Sequence, residues 1–536
     1  MIHFDNTPTV YWLLGYLLAG LVILSSTGKK IPATLYILGC IALLIFMRLP
    51  AVVLNRELNP DESQMLSHAI TLWQDPVYWR SADGTTIGPL DIYLLVIPKL
   101  FGFQLDYTAA RVMGLLCTGL SVYFLFRALA NFYSEKTARI TILAPVLLLA
   151  FTQEVDFVHY SSEQVPVFLL SASLWLLSQL ILNKGLTLRN NLLLGLLAGM
   201  VPFAKLQAVP LAIVIVLFAF LSNIRYYKKN RSLHPFIILI IGGLSFPLLV
   251  LGLTVSFDVL DDLIDFYILG NVIYAGGNTT PSMIGQFFKI AGLSEDFLAF
   301  TCITMLSLIG VIWYTFFQKT EKSNPKSIIH GLTAVLALSS VYAVTKSGND
   351  FIHYLNFCIA SWTLVTAAGI HKFGTKGVIL PAILLLYFLS SDALSYKRSH
   401  VLNAFVSDNA TELAQSPVVT ELKKYTNNRD FMAVWGWQCR YYVEAQLAEA
   451  TSENHSERSI FVHDLQEKYR SRYLSDIQRT TPAIFVDAVG KNSFWVQDRK
   501  TQGFENFPSL ADFIHANYTY KGTFDDTRLY VRNDKL

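Results

Sequence analysis

Long apolar runs recur along most of this chain, and they constrain its fold more than any other feature. A hydrocarbon core of about 30 Å is crossed by roughly 17 to 25 apolar residues in a helix. Backbone groups inside it must be hydrogen-bonded within the protein, so each run is read as a helix. Twelve spans are expected: Val10 to Ser26, Ile31 to Leu49, Thr108 to Ala130, Ala138 to Phe151, Gln164 to Leu182, Asn191 to Phe203, Leu206 to Leu221, Pro235 to Ser256, Phe297 to Phe317, Ser327 to Thr345, Ile352 to Ile370 and Gly377 to Leu389. Composition agrees, with 53% apolar and 15% charged residues and a mean hydropathy of +0.42, whereas soluble domains run to about a quarter charged. The chain is therefore read as an all-α polytopic membrane bundle.

The net charge of +3 gives no footprint for nucleic acid. Cys40, Cys117, Cys302 and Cys358 fall in or beside spans and Cys439 alone lies in a polar region, so neither a disulfide framework nor a CxxC metal site is expected. The first apolar run follows no basic region and precedes no small-residue cleavage site, which marks it as a retained span.

Lysine and arginine set the orientation. Alternate connections carry Lys29 and Lys30; Arg127, Lys136 and Arg139; Lys184 and Arg189; Arg225, Lys228, Lys229 and Arg231; Lys319, Lys322 and Lys326; Lys372 and Lys376. The opposite connections hold Glu154, Asp156 and Glu163, or Asp258, Asp261, Asp262 and Asp265. This predicts an outer N-terminus and an outer polar tail from Ser390 onward. A membrane domain over 1–392 and an extracytoplasmic α/β domain over 393–536 follow. In the tail, Phe431 to Gln438 and Pro482 to Val489 read as strands, Arg440 to Ala450, Asp464 to Ile477 and Leu510 to Asn517 as helices, and Thr519 to Arg532 as further strands.

The first outer loop, Asn55 to Tyr107, is the longest between spans. Met65, Leu66, Ala69, Ile70 and Trp73 recur at helical spacing opposite Ser63, Ser67, His68 and Gln74, which predicts a helix lying along the membrane surface. A second stretch from Pro89, interrupted by Pro98, is too short to span. Asp61 and Glu62 open the first helix behind Asn59 and Pro60. They suit a capped first turn and its dipole, and they equally suit a carboxylate fixed at the membrane face for chemistry. Glu163 recurs in the same way in a second outer loop, beside Glu154, Asp156 and His159, where Ser161 and Gln164 also fit a cap. Lys205, at a break between two apolar runs, and Lys346 and His353, around a short outer loop with Tyr354, are the cationic and polar candidates. An ionisable group at membrane depth is a functional candidate by default; Lys205 snorkelling to the interface and His353 as a hydrogen-bonded core residue are the competing readings.

NPDESQMLSHAI, IGPLDIYLLVIPKLFG leading into AARVMGLL, DFVHYSSEQVPVFLLSASLWLL, GLLAGMVPFAKLQAVPL and VWGWQCRYYVEAQ together resemble the GT-C superfamily of membrane glycosyltransferases. The nearest branch is that of the bacterial relatives of protein O-mannosyltransferases and aminoarabinose transferases, glycosyltransferase families 39 and 83. The resemblance implies transfer of a sugar from a polyprenyl-phosphate carrier to a lipid, glycan or protein acceptor at the outer membrane face. It implies Asp61 as the first-loop catalytic aspartate with Glu62 its neighbour, and Glu163 as a second-loop acid. Aminoarabinose transferases carry a lysine before the Pro-Pro of the first loop, where this chain reads TTIGPL. Another cation should then meet the donor phosphate: Lys205 first, with Lys346 and His353 next and Arg80 or Arg111 in reserve, and His159 and Tyr354 beside them.

The chemistry divides the same way. An acceptor hydroxyl gives its proton to a carboxylate, and the departing phosphate needs positive charge. A divalent metal, Mg or Mn, would find hard oxygen ligands in Asp61, Glu62 and Glu163, and sequence alone leaves that metal open. A glycan polymerase or ligase would use the same donor on a larger acceptor. A transporter would place polar groups at mid-membrane and would not need the tail domain.

Overall fold

The computed structural model describes residues 4, 8–28, 31–182, 187–275, 280–317, 327–405 and 411–536. Lys29, Lys30, Lys184, Lys319, Lys322 and Lys326, used above for orientation, lie outside them. Each of the twelve expected spans coincides with a helix, the shortest being Thr187–Met200 and Glu135–Phe151. Among the described residues, nine helical stretches are long and apolar enough to cross a membrane, the last of them, Ile352–Ser399, containing two of the twelve. Thr187–Met200, with 14 residues, and Glu135–Phe151, with 17, are the two too short to qualify alone. Two compact units result, one of residues 1–53, 114–250 and 274–408, the other of 54–113, 251–273 and 409–536.

The first unit is the helical bundle. Glu135–Phe151 is buried from Thr137 to Phe151 without interruption, which makes it a central helix and explains how a short apolar run suffices. His234–Ser256, by contrast, is mostly exposed along its length, as a lipid-facing helix should be. It meets Thr187–Met200 backbone to backbone. A Cβ on Gly195 would strike Leu239 O, one on Gly199 would strike Gly243 O, and one on Gly242 would strike Leu192 O. In lipid, where apolar burial gives no drive between helices, small residues that allow such approach supply the packing.

The second unit gathers the first loop, a short acidic segment and the tail around a five-stranded sheet. Its strands are β1 (Phe431–Trp435), β2 (Ala448–Glu449), β3 (Ile484–Asp487), β4 (Tyr518–Phe524) and β5 (Thr527–Arg532), in the order β2-β1-β3-β5-β4. β1 pairs parallel with β2 and β3, and β5 antiparallel with β3 and β4. Every residue of β3 is buried, as expected for a strand covered on both faces. The tail is α/β as read, with two corrections. The first strand stops at Trp435, because Gly436 turns the chain at φ 108° against the backbone of Ala488 and Val489. The helix from Arg440 stops at Ala445, where Gln446 adopts a left-handed conformation, and β2 follows.

The first-loop helix runs Pro60–Gln74, and a second one Pro89–Leu100. Asn59 caps the first through its side chain, which accepts from the Asp61 amide at 3.0 Å. The expectation of a polar face turned to water is overturned: Ser63, Ser67 and His68 are wholly buried. His68 Nδ1 meets Glu449 Oε2 at 2.8 Å, Asn454 Nδ2 donates to Ser67 Oγ at 2.8 Å, and Gln64 Nε2 lies 3.2 Å from His455 Nε2. The polar face is thus a seam to the tail, paired with side chains that arrive far later in the chain.

Candidate active site

In the bundle, the chain between the central helix and Gln164–Ile181 is held by Arg48, whose Nη2 donates to Phe157 O at 2.8 Å. Within it a single helical turn, Val155–Val158, carries Asp156, and His159 follows as its cap. The His159 amide and its Nδ1 both reach Val155 O, at 3.0 and 2.8 Å. With Nδ1–H donating there, Nε2 presents a lone pair. That Nε2 is buried and has no hydrogen-bond partner among the described residues.

The cap expected from Ser161 is not made: the helix starts at Gln164 with no side-chain cap, and Ser161 Oγ has no hydrogen-bond partner among the described residues, while Gln164 Oε1 accepts from Ser161 N at 3.4 Å and its Nε2 donates to His159 O at 3.2 Å. Glu163 makes no capping bond of its own, so its carboxylate is left for other work. It is wholly buried and receives a hydrogen bond from Lys205 Nζ, which also donates to Ser162 Oγ at 2.6 Å. Lys205 occupies an extended residue between two 3-10 turns, Val201–Phe203 and Leu206–Ala208, and is 4% exposed. Snorkelling is therefore excluded. Burial alone would raise the Glu163 pKa, but Lys205, His353 and His159 outweigh it and bring it down to about 2. The second oxygen, Oε2, has no hydrogen-bond partner among the described residues.

His353 and Tyr354 enter from the turn Ile352–Leu355. His353 is buried, stacks on Phe351 with ring centroids 5.3 Å apart, and lies 3.3 Å from Asp156 Oδ1 through Nδ1. Lys205 Nζ sits 5.0 Å from the centre of the Tyr354 ring. Ligand atoms of Asp156, His159 and His353 all fall within 4.8 Å of one another, the one such three-residue group among the described residues. Five residues singled out from sequence, Glu163, Lys205, His159, His353 and Tyr354, are thus brought into one buried neighbourhood. Asp156 was noticed in its loop without being chosen as a site residue, although DFVH places an aspartate and a histidine three residues apart, on one face of a turn. Lys346 lies just past Ser327–Thr345, half-buried, with its amide on Tyr342 O.

In the second unit the acidic pair divides its labour. Glu62 is wholly buried and bidentate with Arg111, through Nε to Oε1 at 2.8 Å and Nη2 to Oε2 at 2.7 Å, and it also accepts from Leu58 N at 3.1 Å. Arg111 donates further to Leu54 O and Arg56 O. Glu62 and Arg111 therefore brace the start of the helix, whereas the Asp61 side chain is half-buried. Arg80 pairs with Asp75.

No family model matches the chain, and no curated protein matches it. Among solved structures, ArnT from Cupriavidus metallidurans bound to undecaprenyl phosphate aligns over 93% of this chain and 98% of its own, at 12% identity and a TM-score of 0.58. The apo state of that protein (11% identity, 93% and 98% covered, TM-score 0.43) and the apo oligosaccharyltransferase of Archaeoglobus fulgidus (12% identity, 94% and 75% covered, TM-score 0.43) also align. The likeness at a TM-score of 0.58 shows the fold: a polytopic helical bundle with a C-terminal domain containing a β-sheet.

Proposed function

We propose that the protein is a glycosyltransferase that moves a sugar from a polyprenyl-phosphate carrier to a lipid, glycan or protein acceptor at the outer face of the plasma membrane. The observation that carries this reading is the buried ion pair of Glu163 and Lys205 in one neighbourhood with Asp156, His159 and His353, held in a bundle whose fold matches that of a protein crystallised with undecaprenyl phosphate. Ionised groups in a low-dielectric setting are costly to keep and stabilise developing charge strongly.

In this reading Asp61 takes the proton of the acceptor hydroxyl, because Glu62 is spent on Arg111 and cannot turn towards a substrate without stranding that guanidinium. Asn59 supplies the side-chain cap by accepting from the Asp61 amide, so that cap does not draw on the aspartate carboxylate. Lys205 is the cation offered to the donor phosphate, and Tyr354 walls its other side. Its charge is already shared with Glu163, so phosphate competes with a carboxylate for it.

A divalent metal fits the residues present. His159 Nε2 is a buried lone pair with no described partner, and Asp156 and His353 offer an oxygen and a nitrogen beside it. These three, rather than the acids Asp61, Glu62 and Glu163 together, form the described metal-ligating group. Such an ion, when bound, would lend positive charge to a phosphate oxygen. Without it, His159 still orders its loop through Val155, and Glu163 still holds Lys205 in place. Transfer from a panel of synthetic polyprenyl-phosphate sugars, assayed with purified protein in nanodiscs, tests the reading. Release of polyprenyl phosphate that depends on Asp61 and Glu163 is expected, and a parent protein inert towards every donor overturns it.

A further inference from the structure

Away from these residues, the second unit contains a half-open cleft of about 1040 Å³ beside the far end of Pro60–Gln74. Three cations line it, Lys99, Lys423 and Arg429, and no carboxylate does. None of the three is in an ion pair among the described residues. Lys423 is partly desolvated there, and burial lowers its pKa although Glu444 pulls the other way. Cations gathered without counter-charge repel one another, and a fold gains nothing by assembling them unless an anion arrives.

The rim of the cleft identifies the anion's carrier. Gly102 and Leu105 line the cleft, and around them Leu100, Phe101 and Phe103 are 67%, 75% and 65% exposed. Two residues past Leu105 the chain enters the membrane-crossing helix Tyr107–Phe132. Large apolar side chains left bare within a few residues of a span belong at the lipid boundary, where aromatic rings anchor. Trp73, 46% exposed, faces the same cleft.

We infer that this cleft binds the phosphate headgroup of an anionic phospholipid of the surrounding leaflet, with Lys99, Lys423 and Arg429 on the headgroup and Leu100, Phe101 and Phe103 among the acyl chains. The lipid tethers the second unit to the membrane at the far end of the helix whose start carries Asp61. The inference does not depend on the proposed reaction.

The test uses the full-length protein, delipidated in detergent, and native mass spectrometry against phosphatidylglycerol or phosphatidylcholine. All three cations are partly exposed, so Lys99→Gln, Lys423→Gln and Arg429→Gln combined should leave the fold intact, as an unchanged melting temperature in lipid-free detergent would verify. The parent should retain phosphatidylglycerol over phosphatidylcholine, and the triple variant should bind it about a hundredfold more weakly, at roughly fivefold per cation near an anionic surface. Phe101→Ser with Phe103→Ser should lose the lipid while still binding inorganic phosphate. Equal retention of the two lipids by the parent, or unchanged phosphatidylglycerol binding in the triple variant, overturns the proposal. Full phosphatidylglycerol binding by the double serine variant, displaced by millimolar phosphate, overturns the lipid as the source and makes the cleft a site for soluble anions.

Discussion

Lys205 Nζ, in the break between Thr187–Met200 and Val209–Asn230, donates to Glu163 Oε1 at the start of Gln164–Ile181, with both side chains buried. A buried ion pair resists the loss of either partner more than the loss of both, because each single deletion strands a charge. Lys205→Ala is expected to cost about 3 to 5 kcal/mol, while Lys205→Ala with Glu163→Gln should recover most of it. A double-mutant cycle from thermal unfolding in nanodiscs measures the coupling; additive losses would dissolve the pair as a unit. The sign of its pH dependence follows from the depressed Glu163 pKa of about 2. The contribution is complete above the unfolded carboxyl value and is lost as pH falls through about 2, so no limb of an activity profile between pH 5 and 9 should move in Glu163→Gln.

Asp61 and Glu62 should separate cleanly. Asp61→Asn leaves the Asn59 cap in place and should shift stability by well under about 1 kcal/mol. Transfer should fall by roughly a hundredfold or more, as for loss of a general base. Glu62→Gln strands Arg111 among buried groups and should lower the unfolding midpoint markedly, with a cost of about 3 to 5 kcal/mol. Fluorescence unfolding and donor turnover on the same preparations decide; an active Asp61→Asn protein would return that residue to a purely structural role.

Metal binding has a readout independent of turnover. With a divalent ion at about a hundred times its dissociation constant, the unfolding free energy should rise by about 2.7 kcal/mol. His159→Ala and His353→Ala should each abolish that rise and the bound metal counted by elemental analysis. An equal rise in both variants would place the ion elsewhere.

The seam between the first loop and the tail should be acid-labile. His455 is buried and stacked on Trp437 at 4.1 Å. Burial first, then Arg458 and His68, push its pKa down to about 3. Folding keeps it neutral, so the unfolded chain binds the extra proton between about 6.5 and about 3. Stability is therefore full above the unfolded histidine value and falls as pH drops through that window. His455→Gln, which cannot titrate, should flatten the slope of melting temperature between pH 6.5 and 4; a parallel slope would assign the acid sensitivity to other groups.

Much of the bundle was legible because hydropathy is a local property, and each span declares itself within its own twenty or so residues. The break at Lys205 and the capped start at Asn59 were legible for the same reason. The fate of the Ser67 and His68 face was not, since its partners Glu449 and Asn454 lie more than 380 residues away. β2, two residues long, carries no periodicity to read. Within the candidate site, residue type pointed to Glu163, Lys205 and His353, while the pairing of Asp156 with His353, 197 residues away, was not legible.

The second unit is stitched from three stretches, 54–113, 251–273 and 409–536. Synthesis runs in one direction, so Pro60–Gln74 leaves the ribosome long before Glu449 exists to meet His68. Through that interval the nascent first loop has no completed housing, and contacts so distant in sequence form late. The housing of the helix bearing Asp61 is thus finished only when the last strands are made, and a polypeptide halted before them carries every span yet lacks the side chains that bury that helix. The order of translation thus sets when the polar face of that helix can be buried.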